Sequence, residues 1–294
     1  VSTSGVLTTD YYVDNLNQAP TAPTLTPKAN FDSTAAATFA WAFNDPNPSD
    51  TQSAFQVDIN TAAGVDVYDT GKLGAAVTYV GAGTVATGNN ASLTPALPAG
   101  WAPGDLLLVL ASIRNSGTGT VTAPGNYAVL ASSGNVALLG RIATTGETAP
   151  TVTFAGGVAN ADTLAQMVSF RGTDQNIATV VHASAGQLNG SAANVAYPAA
   201  TVTAPGCAVL YLGWKQDDWT SVATIAGATE ISDTGFSTAG DDAAQAWDYV
   251  IQTTAASITA GSFTVTGGAS AISRGMTVAL RPYQAPTAAS FALP

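Results

Sequence analysis

Three clusters in this chain carry side chains whose types and spacing suit chemistry. KQDDWTS (215–221) places Asp217, Asp218 and Trp219 just past an apolar run, with Trp214 before them. TAGDDAAQAWDY (238–249) adds Asp241, Asp242, Trp247 and Asp248. An aromatic face packs on sugar C–H groups while neighbouring carboxylates accept from hydroxyls, so Trp219, Asp217 and Asp218 are the candidate glycan-binding residues. Trp219 is the expected exposed platform, because its neighbours are polar. Trp214 and Trp247 read instead as core residues. In strand alternation Trp247 and Tyr249 share one face and Asp248 points to the other. The third cluster, NDPNPSD (44–50), puts Asp45, Asn47 and Asp50 in one loop. Oxygen ligands in a loop suit calcium, but the central Gly and bidentate Glu of an EF-hand are missing. An Asx-rich turn between two strands explains the same residues.

The remaining reactive groups point away from catalysis. A glycosidase needs two carboxyls at a defined separation, one with a raised pKa. Glu147 and Glu230 are the only glutamates, and both sit in turn-like or strand-end contexts. His182 is the only histidine, which argues against a Ser-His-Asp triad and removes multi-histidine metal sites. Cys207 is the only cysteine. It excludes an intrachain disulfide and reads as a small buried hydrophobe within CAVLYLGW. GAGTVATG (81–88) is glycine-rich but lacks the Lys and following helix of a phosphate-binding loop. Arg171 and Arg281 read as structural, each tying a strand end to a loop.

The elements that must position these residues are written twice. APGDLLLVLASIRN (102–115), NVALLGRIAT (135–144), TVTFAGG (151–157) and AQMVSFRG (165–172) are answered in order. Their counterparts are APGCAVLYLGWKQ (204–216), AQAWDYVIQT (244–253), SFTVTGG (262–268) and GMTVALRP (275–282). Gly104 answers Gly206, and Arg171 answers Arg281. Asp105 has no acidic counterpart, since Cys207 takes its place. A weaker echo, 80–97 against 182–199, precedes each half. A repeat of this length is a domain-scale unit rather than a solenoid or propeller blade.

Helix periodicity is poor from residue 77 onward. Runs of Val, Leu, Thr and Phe alternate with Gly, Asn, Ser and Pro clusters, the pattern of an all-β sandwich. Strands are predicted near 92–97, 105–114, 126–132, 135–144, 151–155 and 163–171. In the second half they are predicted near 197–203, 207–215, 225–231, 243–253, 262–266 and 272–281. LLLVLASI is apolar throughout, as suits a central strand covered on both faces. Each half offers few strands for two sheets. The expected fold is therefore one jelly-roll-like antiparallel sandwich over 77–282, with the halves 77–172 and 180–282 supplying interleaved strands.

The N-terminal part reads differently. Residues 1–17 form a polar arm, in which YYVDN (11–15) reads as the last strand of a preceding module. APTAPTLTPK (18–27) is an extended linker or edge. ATFAWAFN (37–44), QSAFQVDIN (52–60) and VDVYDTG (65–71) are predicted strands. WAFNDPNPSDTQSAFQVDI (41–59) with VYDTG (67–71) resembles a fibronectin-type-III or immunoglobulin-like module, of which 18–75 is about half. The tail 283–294 reads as a linker or arm.

Composition bounds the partners. The chain has 294 residues, 8 Lys+Arg against 19 Asp+Glu, and a net charge of -11. No basic stripe exists to neutralise phosphates or meet an anionic membrane surface, so neither nucleic acid nor membrane is an expected partner. No run of eighteen apolar residues is present to span a bilayer as a helix. The surface must be covered largely by Thr, Ser, Asn, Gln, Ala and Gly, which suits packed assemblies.

Residues 77–282 resemble the β-sandwich domains of minor tail and tail-fibre proteins of phages infecting actinobacteria. The resemblance rests on PAGWAPGDLLLVLASIR (98–114), LLGRIATTGETAPTVTFAG (138–156), FRGTD (170–174) and VALRP (278–282). It implies an oligomeric virion component with no catalytic residues to transfer and no cofactor. The low charge and Thr/Ala/Gly-rich surface favour packing with copies of itself as a homotrimer or another symmetric ring, beside other virion proteins. Adhesion to a host cell-wall polysaccharide through loops at one end of the sandwich would fit that role. Two further readings are a capsid decoration or head-fibre protein, and a carbohydrate-binding module of a secreted bacterial enzyme.

Overall fold

The computed structural model describes residues 58–60, 66–69, 77–89, 92–114, 118–156, 161–238 and 241–283. Every element among them is a β-strand. The chain divides into two compact units, one holding Val1–Ala75 with Tyr283–Pro294 and the other Ala76–Pro282. In the first, β1 (Asp58–Asn60) pairs antiparallel with β2 (Asp66–Asp69). The remainder of the fibronectin-like segment and the Asp45, Asn47, Asp50 loop lie outside the described residues.

In the second unit the first half supplies eight strands. They are β3 (Thr78–Ala82), β4 (Ala86–Asn89), β5 (Leu106–Ile113), β6 (Thr120–Thr122), β7 (Ala128–Ser133), β8 (Val136–Ile142), β9 (Thr153–Ala155) and β10 (Asp162–Arg171). The second half supplies ten: β11 (Val181–Ala192), β12 (Val195–Tyr197), β13 (Ala200–Val202), β14 (Cys207–Lys215), β15 (Ser221–Ala223), β16 (Thr229–Thr238), β17 (Asp241–Gln252), β18 (Ala256–Ile258), β19 (Gly261–Thr266) and β20 (Ala271–Leu280). The strand predicted at 92–97 is reduced to a single bridge, Leu93 with Val152.

The duplication is visible in the pairing. One sheet runs β3-β10-β5-β8-β7, with β4 also on β10. The other runs β11-β20-β14-β17-β16. Strand for strand these are the same order, and every pair is antiparallel. The halves therefore do not interleave as expected. Each completes its own sheet because its long apolar runs pair with one another, and its short strands fold out as flaps: β6 with β9 in the first half, and β15-β19-β12 and β13-β18 in the second. A half with too few long strands for two sheets builds one, and the sandwich arises where the two meet.

Period-two alternation decides which residues meet. Leu106, Leu108 and Leu110 of β5 face Leu210, Leu212 and Trp214 of β14 in a core shared by both sheets, together with Leu138, Phe170, Trp247, Val278 and Leu280. The intervening residues face outward under the flaps. Leu107, Val109 and Ala111 join Leu93, Tyr127, Val152 and Met167. Val209 and Tyr211 join Val195, Tyr197, Trp219, Val222 and Phe263. This double covering is why LLLVLASI is buried at every position. Aromatic rings also cross between halves: Tyr79 stacks on Tyr249 at 5.1 Å, and Phe170 meets Tyr249 edge-on at 5.7 Å.

Polar groups fix how the two sheets sit. Trp247 Nε1 donates to Gln166 Oε1 at 2.7 Å, and Ser112 Oγ donates to Gln245 Oε1 at 3.2 Å, all in the interior. Arg274 of β20 reaches the β7–β8 turn, where its Nε donates to Asn135 Oδ1 at 2.6 Å. That turn favours Gly134 for its backbone conformation, and the Arg274 guanidinium packs against it. Its φ is 58°, in the left-handed region that favours glycine, and a Cβ there would make the Arg274 guanidinium shift.

Candidate functional site

Trp214 and Trp247 lie in the core between the sheets, whereas Trp219 lies in the outer core of the second sheet, near which Asp217, Asp218 and Asp242 gather. β14 delivers Lys215 to its end, fully buried. The chain then folds back over the sheet as a flap, 216–228, before entering β16. The sequence pattern predicts a strand at 225–231 here. Residues 225–228 are instead a turn, closed by Ala228 N donating to Ile225 O at 2.9 Å, and the strand starts at Thr229.

Trp219 is not an exposed platform. It is only 7% exposed and packs in the outer core with Tyr211, Val222 and Phe263. Its Nε1 donates to Asp233 Oδ1. The flap turns Trp219 inward over β16, and the carboxylate that satisfies its N–H belongs to Asp233, fourteen residues further along the chain. The expected sugar-stacking surface is therefore absent at this position.

Asp217 and Asp218 are half-buried. Asp217 Oδ2 accepts from Ala269 N and lies 3.8 Å from Lys215 Nζ. Gly268, at φ 73°, allows this approach, because a Cβ there would strike the Asp218 carbonyl. Asp242, which accepts from Ser237 Oγ at 2.6 Å, completes a trio with Asp217 and Asp218 whose carboxylate oxygens lie within 4.8 Å of one another. Among the described residues this trio is the grouping able to hold a cation, with the buried Lys215 ammonium already beside it.

Two carboxylates hold the flap down: Asp233, which the sequence reading passes over, and Asp248, which it places on the face opposite Trp247. Asp233 accepts from Val222 N at 2.6 Å as well as from Trp219. Asp248 accepts from Ile225 N at 2.6 Å. Asp248 does point away from the Trp247 and Tyr249 face, and that outward face is where the flap lies. Burial pushes the Asp233 carboxyl above its ordinary range, with the Glu230 charge adding and the two N–H donors opposing. Burial raises Asp248 to about 6, reinforced by the Glu230 and Asp233 charges and opposed by the Ile225 N–H. The nearby Tyr197 and Tyr211 hydroxyls are also raised, first by burial and further by Asp248. The signal that could reveal Asp233 is the one that oriented Asp248: an acid placed mid-strand, in ISDTG as in WDY, where alternation aims it under a flap.

The other sequence candidates are dispersed. Glu147 lies in a turn of the first half, paired with Arg141 at 2.9 Å, while Glu230 accepts from Thr224 Oγ1 in the second. His182 Nε2 accepts from Thr203 N at 3.0 Å, joining β11 to the β13 flap. Burial lowers its pKa, with the Arg281 charge adding. Cys207 is a fully buried free thiol, raised by burial.

No protein-family model matches the chain, and neither a curated protein nor a solved structure matches it.

Proposed function

We propose that this chain is a non-enzymatic structural protein of a phage virion, part of a tail or tail fibre, with residues 77–282 as its rigid body. The observation that carries the reading is the use made of buried and half-buried acids. Asp105, Asp233 and Asp248 each fasten a loop or strand end, Asp105 through Ala102 N and Arg171 and the other two through the flap. An enzyme would aim raised-pKa carboxyls at an open cleft. Here the two raised carboxyls, Asp233 and Asp248, accept from backbone N–H groups of the flap that covers them, as a body that transmits load between neighbours needs. A low-charge surface and a duplicated, doubly covered sandwich support the same reading.

The reading is tested by incubating the chain with actinobacterial cell-wall polysaccharide and measuring reducing ends, beside Asp217→Asn, Asp218→Asn and Glu230→Gln variants. No turnover by any of them is expected. Turnover by the wild type that one variant abolishes would replace this reading with a glycosidase.

A further inference from the structure

The two sides of the sandwich where the sheets end are unlike. On one side lie β7, the last strand of the first sheet, and β11, the first strand of the second. They touch: Gly186 lies against Ser132 and Ser133, and Ser133 Oγ donates to the Gln187 carbonyl at 3.4 Å. The other ends of the sheets are β3 with β4, and β16.

Natural sheet edges are blunted by charges, proline or bulges, because an unpaired row of N–H and C=O groups is a template for another strand. β16 follows this rule with Glu230 and Asp233, and β3 (TYVGA) and β4 (ATGN), though uncharged, are only five and four residues long. β7 (AVLASS) and β11 (VHASAGQLNGSA) contain no Asp, Glu, Lys, Arg or Pro. β7 is interrupted by a bulge between Val129 and Ala131, whereas β11 is twelve residues long and, between irregularities at Val181/Ala183 and Asn189/Ala192, keeps an unbroken register on β20 from Ala183 to Asn189. The exposed large hydrophobics among the described residues are Val129, 54% exposed, and Leu188, 58% exposed. One lies on β7 and the other on β11.

Charge selects the occupant. Two copies of a chain carrying -11 repel one another over most of their surface. The β11 edge is the longest uncharged edge strand among the described residues, so a second copy can pair along it without opposing like charges. An antiparallel strand is also its own complement about a two-fold axis perpendicular to the sheet, so an uncharged edge can pair with itself without any foreign sequence to match it. We propose that the outer edge of β11 pairs antiparallel with β11 of a second copy, joining the two copies' β11-β20-β14-β17-β16 sheets into one continuous sheet. Leu188 of each copy then lies on the same face of the joined sheet, beside the other copy's β11. The proposal holds whether or not the chain belongs to a virion.

Light scattering behind gel filtration on the full chain tests it. The wild type is expected at twice the chain mass of 29.3 kDa. Leu188→Glu, which brings like charges to the joint, is expected at the single-chain mass with an unchanged far-ultraviolet spectrum. Ser184→Glu, at another exposed position of β11, is expected to do the same, so misfolding of one variant leaves the other informative. Thr229→Glu on β16 should keep the doubled mass. A single-chain or three-fold mass for the wild type overturns the proposal. So does a doubled mass for both β11 variants, or equal dissociation by Thr229→Glu.

Discussion

Arg171 grips Asp105 through both carboxylate oxygens, Nε to Oδ1 and Nη2 to Oδ2, each at 2.8 Å. The same register in the second half sets Arg281 opposite Cys207. Phe170 pairs with Leu106 one step before the first couple, and Leu280 pairs with Ala208 one step before the second. Backbone bonds repeat as well: Gly104 N donates to Ala143 O at 2.9 Å, and Gly206 N to Gln252 O at 2.7 Å. The acid is missing from the second copy, and Arg281 Nε is buried with no hydrogen-bond partner among the described residues.

Restoring the acid is therefore expected to be tolerated. Cys207→Asp should unfold in urea within about 1 kcal/mol of wild type, although a buried charge ordinarily costs far more. Cys207→Asp with Arg281→Ala, which strands that charge, should lose roughly 3–5 kcal/mol. Equal losses in the single and double variants would mean that Arg281 does not occupy the place of Arg171.

Asp248 makes stability depend on pH. Its carboxyl titrates near 6 in the fold, above the ordinary 3.8. The folded chain thus holds that proton more tightly than the unfolded chain. The resulting stabilisation is complete below the unfolded value and is lost as pH rises through about 6. Asp248→Asn keeps an acceptor for Ile225 N–H and carries no charge. It should be more stable than wild type at pH 8 by roughly 1–3 kcal/mol, with the difference closing toward pH 4. Urea midpoints across that range check it, and parallel curves for the two proteins would contradict it.

The shared core makes each half depend on the other. Trp247→Phe removes the donor to Gln166 Oε1 and should cost about 2–4 kcal/mol, from an unsatisfied acceptor and a cavity. Combined with Gln166→Met, the loss should fall short of the sum of the single losses, because the two residues are direct partners across the sheets. Residues 77–172 and 180–282 expressed separately should each lack a cooperative transition, and mixing them should restore one. A sharp thermal transition in either half alone would show that its own outer core suffices.

Much of this architecture can be read from the sequence, for physical reasons that also explain the failures. Strand runs with a strong apolar pattern are legible: 207–215 is β14 to the residue, and 163–171 is β10 within one residue. The repeat alone makes Asp105 and Cys207 equivalent positions. It cannot give packing, because internal similarity says which strands correspond and not whether they pair within or between halves. β11 shows only as a weak echo, since an edge strand of small polar residues has little hydrophobic signal. Trp219 misleads because its neighbours in sequence are polar while its neighbours in space, Asp233, Tyr211 and Phe263, are supplied by other strands.

The most direct test of the virion reading is a copy count. Phage particles banded from the lysate of the host that carries the gene would be digested, and this chain quantified by mass spectrometry against a known capsid protein. The account predicts that the chain bands with intact particles at a fixed small multiple per particle, and that antibodies to residues 77–282 label the tail. Its absence from the particle band, with the chain recovered free in the supernatant, would contradict it.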